Sequence, residues 1–159
     1  MPANIRELLA TLPQSGTLEW IGVRPARRAP MLAPASVIAS PDSGLQGDRF
    51  AARSTSRQVT LFQAEHLPVI ASCLAKDSID PDMLRRNLVV RGLNLLALKD
   101  QMFRIGPVEL KATGLCHPCS RMEQILGPGG YNAVRGHGGI TAQVIVGGNL
   151  TLGDPVCLI

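Results

Sequence analysis

Aromatic residues are nearly missing from this 159-residue chain, which has one Trp, one Tyr and three Phe. Lysine is scarce as well: three of the sixteen basic residues are Lys76, Lys99 and Lys111, and the rest are arginines. No basic block occurs, so the net charge of +4 reads as a solvated basic surface and not as a nucleic-acid face. No apolar run is long enough to span a bilayer, and no membrane association is expected. The opening segment, MPANIRELLATLPQSG, has neither a long apolar core nor a credible cleavage site, and is expected to form a short amphipathic helix over residues 1–15. Arg27-Arg28 is internal and no continuous apolar run follows it, unlike a twin-arginine export signal. Four cysteines without a secretory signal point to a reducing, cytoplasmic setting with free thiols. There is no internal repeat, no linker, and no nucleotide or iron–sulfur cluster motif. The length suits one domain, 1–159, with a real core.

What the chain does contain is punctuation. Sixteen glycines and twelve prolines imply many turns between short elements. GTLEWIGVRP (16–25) reads as a strand with Leu18, Trp20 and Gly22 on one face, and a second strand is expected around 36–39. GLQGDRF (44–50) is turn chemistry in which Asp48 is expected to fix its own loop. RQVTLFQ is strand-like, with Val59 and Leu61 alternating against Thr60 and Phe62. The segment AEHLPVIASCLA is helical provided Pro68 lies in the first turn, and its His66 and Cys73 read as packing or surface residues. Asp80-Pro81 opens one or two helical turns before a buried LVV strand. FRIGPVELKATG is a hairpin turning at Gly106-Pro107, GPGGYNAVRGHGGI a glycine-rich loop with one helical turn at 131–134, and ITAQVIVGG and LGDPVCLI are strands. Seven to nine short strands with two or three short helices make the class β-rich α+β, barrel-like.

Chemistry concentrates in TGLCHPCSRMEQIL (113–126), the end of a strand, a turn with two cysteines and the start of a short helix. Ser120 and Glu123 have capping-box spacing, which makes Ser120 the expected N-cap. Cys119 then stands just ahead of a helix N-terminus, where free N–H groups and the dipole favour a thiolate. Arg121 and His117 bring cationic partners nearby. Three readings of C-H-P-C are open. The spacing matches thioredoxin-like redox motifs, but a hairpin precedes it and a glycine loop follows, in place of a βαβ context. A structural zinc site needs a second ligand pair, and only Cys73, Cys157 and three histidines remain. The third reading is two inert, partly buried thiols.

The ordered set GLQGDRF, RQVTLFQAEHL, RRNLVVRGLNLLAL, FRIGPVELKATGLCHPCSRME, GHGGITAQVIVGG and GDPV resembles the MOSC domain, the molybdenum-cofactor sulfurase C-terminal domain, in a small stand-alone form. The resemblance runs from about residue 16 to 156. It implies a β-rich barrel-like fold and an essential cysteine, here Cys119, that ligates molybdenum of the pterin cofactor (molybdopterin) or carries sulfur as a persulfide. Cys116 is then an auxiliary thiol. The cofactor's phosphate gives a task to Arg86 and Asn87 of the RRN motif, with Arg85 sharing it or facing solvent. The backbone of His137, Gly138 and Gly139 would approach an anion or simply turn the chain. Asp48, Arg57, Lys111 and Arg121 are further pocket candidates. By the same resemblance the domain would reduce N-hydroxylated bases or amidoximes, with electrons from a separate flavin or iron–sulfur protein, or receive sulfur from a cysteine desulfurase. Nothing in the chain resembles a pyridoxal-phosphate site. Two rivals stand beside this reading: a thiol–disulfide or persulfide exchange protein using both cysteines, and a non-catalytic adaptor delivering sulfur or cofactor to a molybdoenzyme.

Overall fold

A computed structural model describes residues 2–49 and 55–159. Phe50, the last residue of the GLQGDRF turn, lies outside the described residues. Seven strands close into a barrel: β1 (Gly16–Ile21), β4 (Val59–Gln63), β5 (Leu88–Arg91), β6 (Met102–Ile105), β7 (Val108–Leu115), β8 (Ile140–Val146) and β10 (Pro155–Leu158). Their spatial order is β1-β10-β6-β7-β8-β4-β5, and β5 pairs back onto β1. A small sheet of β2 (Ser36–Ser40), β3 (Gly44–Leu45) and β9 (Gly148–Thr151) lies apart from the barrel's pairing network. Ten strands are thus present among the described residues, more than expected, because β3 spans two residues and β9 emerges from a glycine-flanked stretch with little alternation.

Closure leaves no open edge in the seven-stranded sheet. Every barrel pairing is antiparallel except β4 with β5. A parallel pair needs a crossover, and α2 (His66–Cys73) with the 3-10 turn Pro81–Leu84 supplies it. This crossover, with α3 (Ser120–Leu126) and α4 (Gly130–Val134), forms a helical layer. Pro68 does lie in the first turn of α2, where its missing N–H costs nothing. The first helix, α1 (Ile5–Leu9), is closed by an Asn4–Glu7 capping box and buries none of its residues.

Strand alternation divides the core in two. Val59, Leu61, Leu88 and Val90 join the barrel's interior cluster with Phe103, Leu110 and Ala142. The intervening Phe62 and Val89, register partners, join a second cluster with Ile70, Met122, Leu126 and Val134 from the helices. Both faces of β4 and β5 are therefore apolar. A β-bulge between Leu18 and Trp20 breaks the expected face of β1: Leu18 and Ile21 enter the barrel, while Trp20 packs partly buried against the helical layer. Met122 and Leu126, one helical turn apart, fix α3 to that layer and thereby fix the cysteine turn ahead of it.

Candidate functional site: a cysteine turn beside an arginine cavity

Cys119, exposed, is itself the N-cap of α3, in extended conformation with φ −125° and ψ 176°. The expected capping box does not form, and Ser120 is the first helical residue. Glu123 turns the other way, its carboxylate accepting from Gly129 N and Tyr131 N, both at 2.9 Å. These donors open α4, so the acid ties α4 to α3 and its pKa falls below the usual carboxylate value. Cys116 is buried, and its N–H donates to Gly139 O at 2.8 Å. The two thiols of the turn therefore occupy opposite environments, and all four cysteines are free.

Arg86 and the glycine loop come to this turn. The Arg86 guanidinium is buried and donates to three carbonyls: Gly138 O at 2.8 Å, Leu84 O at 3.1 Å and His117 O at 3.4 Å. It joins the crossover, the glycine loop and the cysteine turn. The loop approaches so closely that a Cβ on Gly138 would lie 2.0 Å from Cys116 O. Gly139, at φ +90°, would place one 1.9 Å from Leu61 O. Asn87 is likewise committed to the fold: its Oδ1 accepts from Thr60 N at 3.0 Å and its Nδ2 donates to Gly22 O at 3.0 Å.

Six other arginines gather elsewhere. Arg24, Arg27, Arg28, Arg49, Arg85 and Arg121 line one cavity of about 320 Å³, together with Ser120. None of the six forms an ion pair among the described residues; the ion pairs there are Arg91–Glu19 and Arg104–Glu109. Arg24 Nε is shut away from solvent without a hydrogen-bond partner, a costly state for a cation's donor. Arg85 sits in the left-handed region at φ 58°. Partial burial, then Arg24 and Arg121 nearby, lower its pKa. The neighbouring acids are Asp82 and Asp48, and Asp48 Oδ1 accepts from Arg24 N at 2.7 Å. Asp48 thus reaches across to the Arg24 backbone in addition to shaping its own turn, where its N–H donates to Leu45 O. Burial raises its pKa, more than the hydrogen bond and the arginines lower it.

Of the residues singled out in the sequence, Arg85 and Arg121 line the arginine cavity. Cys116, Gly138 and Gly139 line a second cavity of about 310 Å³ with His117 and Pro118. Cys119 falls in the chain between the stretches that wall the two. His137 lines a smaller third cavity with His66. Arg57, at the end of the 3-10 turn Thr55–Arg57, and Lys111, on β7, are exposed and line none of these three. Sequence reasoning passed over Arg24, Arg27, Arg28 and Arg49. The only signal was arginine density on both sides of the proline-rich segment, and nothing local says that the two ends meet. Arg49 N donating to Arg24 O at 2.6 Å is the contact that brings them together.

Cys119 itself lines none of the three cavities, whereas its chain neighbours Pro118 and Ser120 line the cysteine and arginine cavities. Guanidiniums suit an anionic group, and a thiolate suits a soft metal centre. Among the described residues no group of three or more His, Cys, Asp and Glu is placed to hold a metal ion by itself. No helix there is long and apolar enough to cross a membrane.

Comparison with known proteins gives the same fold. The profile of the MOSC domain matches residues 48–157, more than half of the chain. The crystal structure of the YuaD protein from Bacillus subtilis superposes with a TM-score of 0.77 at 19% identity, covering 89% of this chain and 94% of that one. YiiM from Escherichia coli gives 0.72 at 17% identity, over 92% of this chain and 70% of that one. YiiM from Geobacillus stearothermophilus gives 0.73 at 15%, over 91% and 75%. No curated protein sequence matches significantly.

Proposed function

Because this chain belongs to the MOSC domain family, we propose that it is a molybdenum-cofactor-binding domain in which Cys119 meets the metal and the arginine cavity takes the cofactor's phosphate. The observation that carries this reading is the set of six arginines without ion-pair partners among the described residues, one of them with a buried, unbonded Nε, reached by the residues immediately after an exposed cysteine. These residues fit the group: guanidinium forks suit phosphate oxygens, and a thiolate suits molybdenum. When bound, the cofactor would supply a metal centre able to exchange two electrons with a substrate.

In this reading Arg24, Arg85 and Arg121 hold and orient the phosphate, and Ser120 offers its hydroxyl and N–H at the same wall. Cys119 holds the metal end. Arg86 takes no part in binding; it positions the cysteine turn by holding His117 O and Gly138 O. The reaction class is reduction of N-hydroxylated bases or amidoximes, with electrons from a separate flavin or iron–sulfur protein. Sulfur carriage by the same thiol is the variant of this reading: the Cys119 thiolate attacks a desulfurase persulfide, takes its outer sulfur and releases the donor's thiolate. Burial of Cys116 weighs against a C-H-P-C exchange pair, since a buried thiol is poorly placed for attack by an outside disulfide. Delivery of sulfur or cofactor to a molybdoenzyme, without turnover, would use the same two features.

Metal and pterin analysis after reconstitution tests the proposal. Wild type is expected to retain both, and Cys119→Ala to lose molybdenum while keeping part of the pterin. Equal molybdenum in the two proteins would remove Cys119 from the metal.

A further inference from the structure

The glycine loop borders two cavities. Gly136 and Gly139 line the cysteine cavity and also a smaller one of about 130 Å³, into which His66 and His137 bring their imidazoles. His66 is the first residue of α2, and its ring stands edge-on to the fully buried Phe62, with centroids 6.4 Å apart at 80°. His137 belongs to a loop that cannot easily shift: Gly138 and Gly139 press against Cys116 O and Leu61 O, and His137 N donates to Val134 O at 2.7 Å. Two rigid elements thus hold the rings against each other, centroids 5.1 Å apart and tilted by 57°. Neither imidazole has a hydrogen-bond partner among the described residues. The other polar side chains of this cavity are Gln63 and Asn94. Their amide oxygens are occupied by Leu95 N and Leu96 N.

An aromatic contact tolerates such a separation, and the ring nitrogens, without protein partners, stay open to solvent and to a ligand entering the cavity. Metal coordination gives the same spacing. Two imidazoles bound to one tetrahedral zinc through bonds of about 2.0–2.1 Å have ring centroids about 5 Å apart. We propose that His66 and His137 form a two-imidazole site for a borderline divalent transition metal, with zinc as the type, whose remaining positions stay open to water or a small ligand in the cavity. Because the metal would join α2 to the loop that holds Arg86 and Cys116, its binding would stiffen the base of the cysteine turn. This site is independent of the molybdenum cofactor and of Cys119.

Zinc titrated calorimetrically into full-length Cys73→Ser/Cys119→Ser protein, where the exposed thiols cannot compete, tests this. One site of micromolar affinity is expected. His66→Ala and His137→Ala should each weaken it about tenfold or more, while His117→Ala leaves it intact. Copper(II) at equimolar ratio should show nitrogen hyperfine structure from two imidazoles, lost in the same two variants. If an alanine variant does not fold, His66→Phe or His137→Phe keeps the ring's bulk without a ligand and takes its place. Zinc affinity unchanged in the His66 and His137 variants, affinity lost in His117→Ala, or no binding at millimolar zinc would each overturn the site.

Discussion

Two groups of arginines in this protein differ in what satisfies them. On the barrel, Arg91 holds Glu19 at 2.7 Å across the β1–β5 pair, and inside the helical layer Arg86 spends its guanidinium on three carbonyls. Six arginines line the cavity, with Asp48 and Asp82 as the nearby acids. Folding explains the first group, since each donor there gains an acceptor. It does not explain the second, where like charges repel and a buried Nε goes unpaired. In the function proposed above, a phosphate group would complete the arrangement by accepting from these guanidiniums.

Arg86→Met should give the largest loss on the structural side. It leaves three carbonyls at a junction of loops without donors, and a destabilisation of about 3–5 kcal/mol is expected in denaturant unfolding. A change below about 1 kcal/mol would mean that Arg86 is not the staple described. Arg85→Gln should behave in the opposite sense. It relieves repulsion from Arg24 and Arg121 and ends the partial desolvation of a cation, so Tm should stay level or rise even as phosphate binding weakens. A clear fall in Tm would place Arg85 with the structural arginines.

The smallest effect concerns Glu123 and pH. Hydrogen bonds from Tyr131 N and Gly129 N lower its folded pKa. The folded state therefore releases this proton more readily than the unfolded chain does. The resulting stabilisation is present above the unfolded carboxylate value of about 4.3 and disappears as pH falls through the lower folded value. Glu123→Gln should remove that component of the acid transition and lower Tm slightly at neutral pH. An unchanged acid limb would show that the α3–α4 tie carries no such linkage.

Barrel and helical layer were readable from alternation and punctuation: Val59, Leu61 and Phe62 divide between the two cores as their spacing dictates. The bulge after Leu18 was not readable, because an extra residue in a strand leaves no local mark when the neighbours Trp20 and Ile21 are both apolar. At the site, the strand–turn–helix around the cysteines was readable, whereas the contact of that turn with the GHGG segment appears only in the fold. The capping box failed for a different reason. The S-x-x-E spacing is a local rule, and the N–H groups of Gly129 and Tyr131 offered Glu123 two donors against one. The three carbonyl contacts of Arg86 were not readable, since a buried arginine and a cavity arginine look alike in a string. Arg24 and Arg49 are far apart in the chain and meet only through backbone pairing.

Calorimetric titration with inorganic phosphate tests the division between the two groups most directly. A single saturable site is predicted for wild type, abolished in Arg24→Gln/Arg85→Gln/Arg121→Gln and unaffected in Arg91→Gln. Phosphate binding of equal strength in the cavity variant and in Arg91→Gln would contradict the account, because the six guanidiniums would then be surface charge and nothing more.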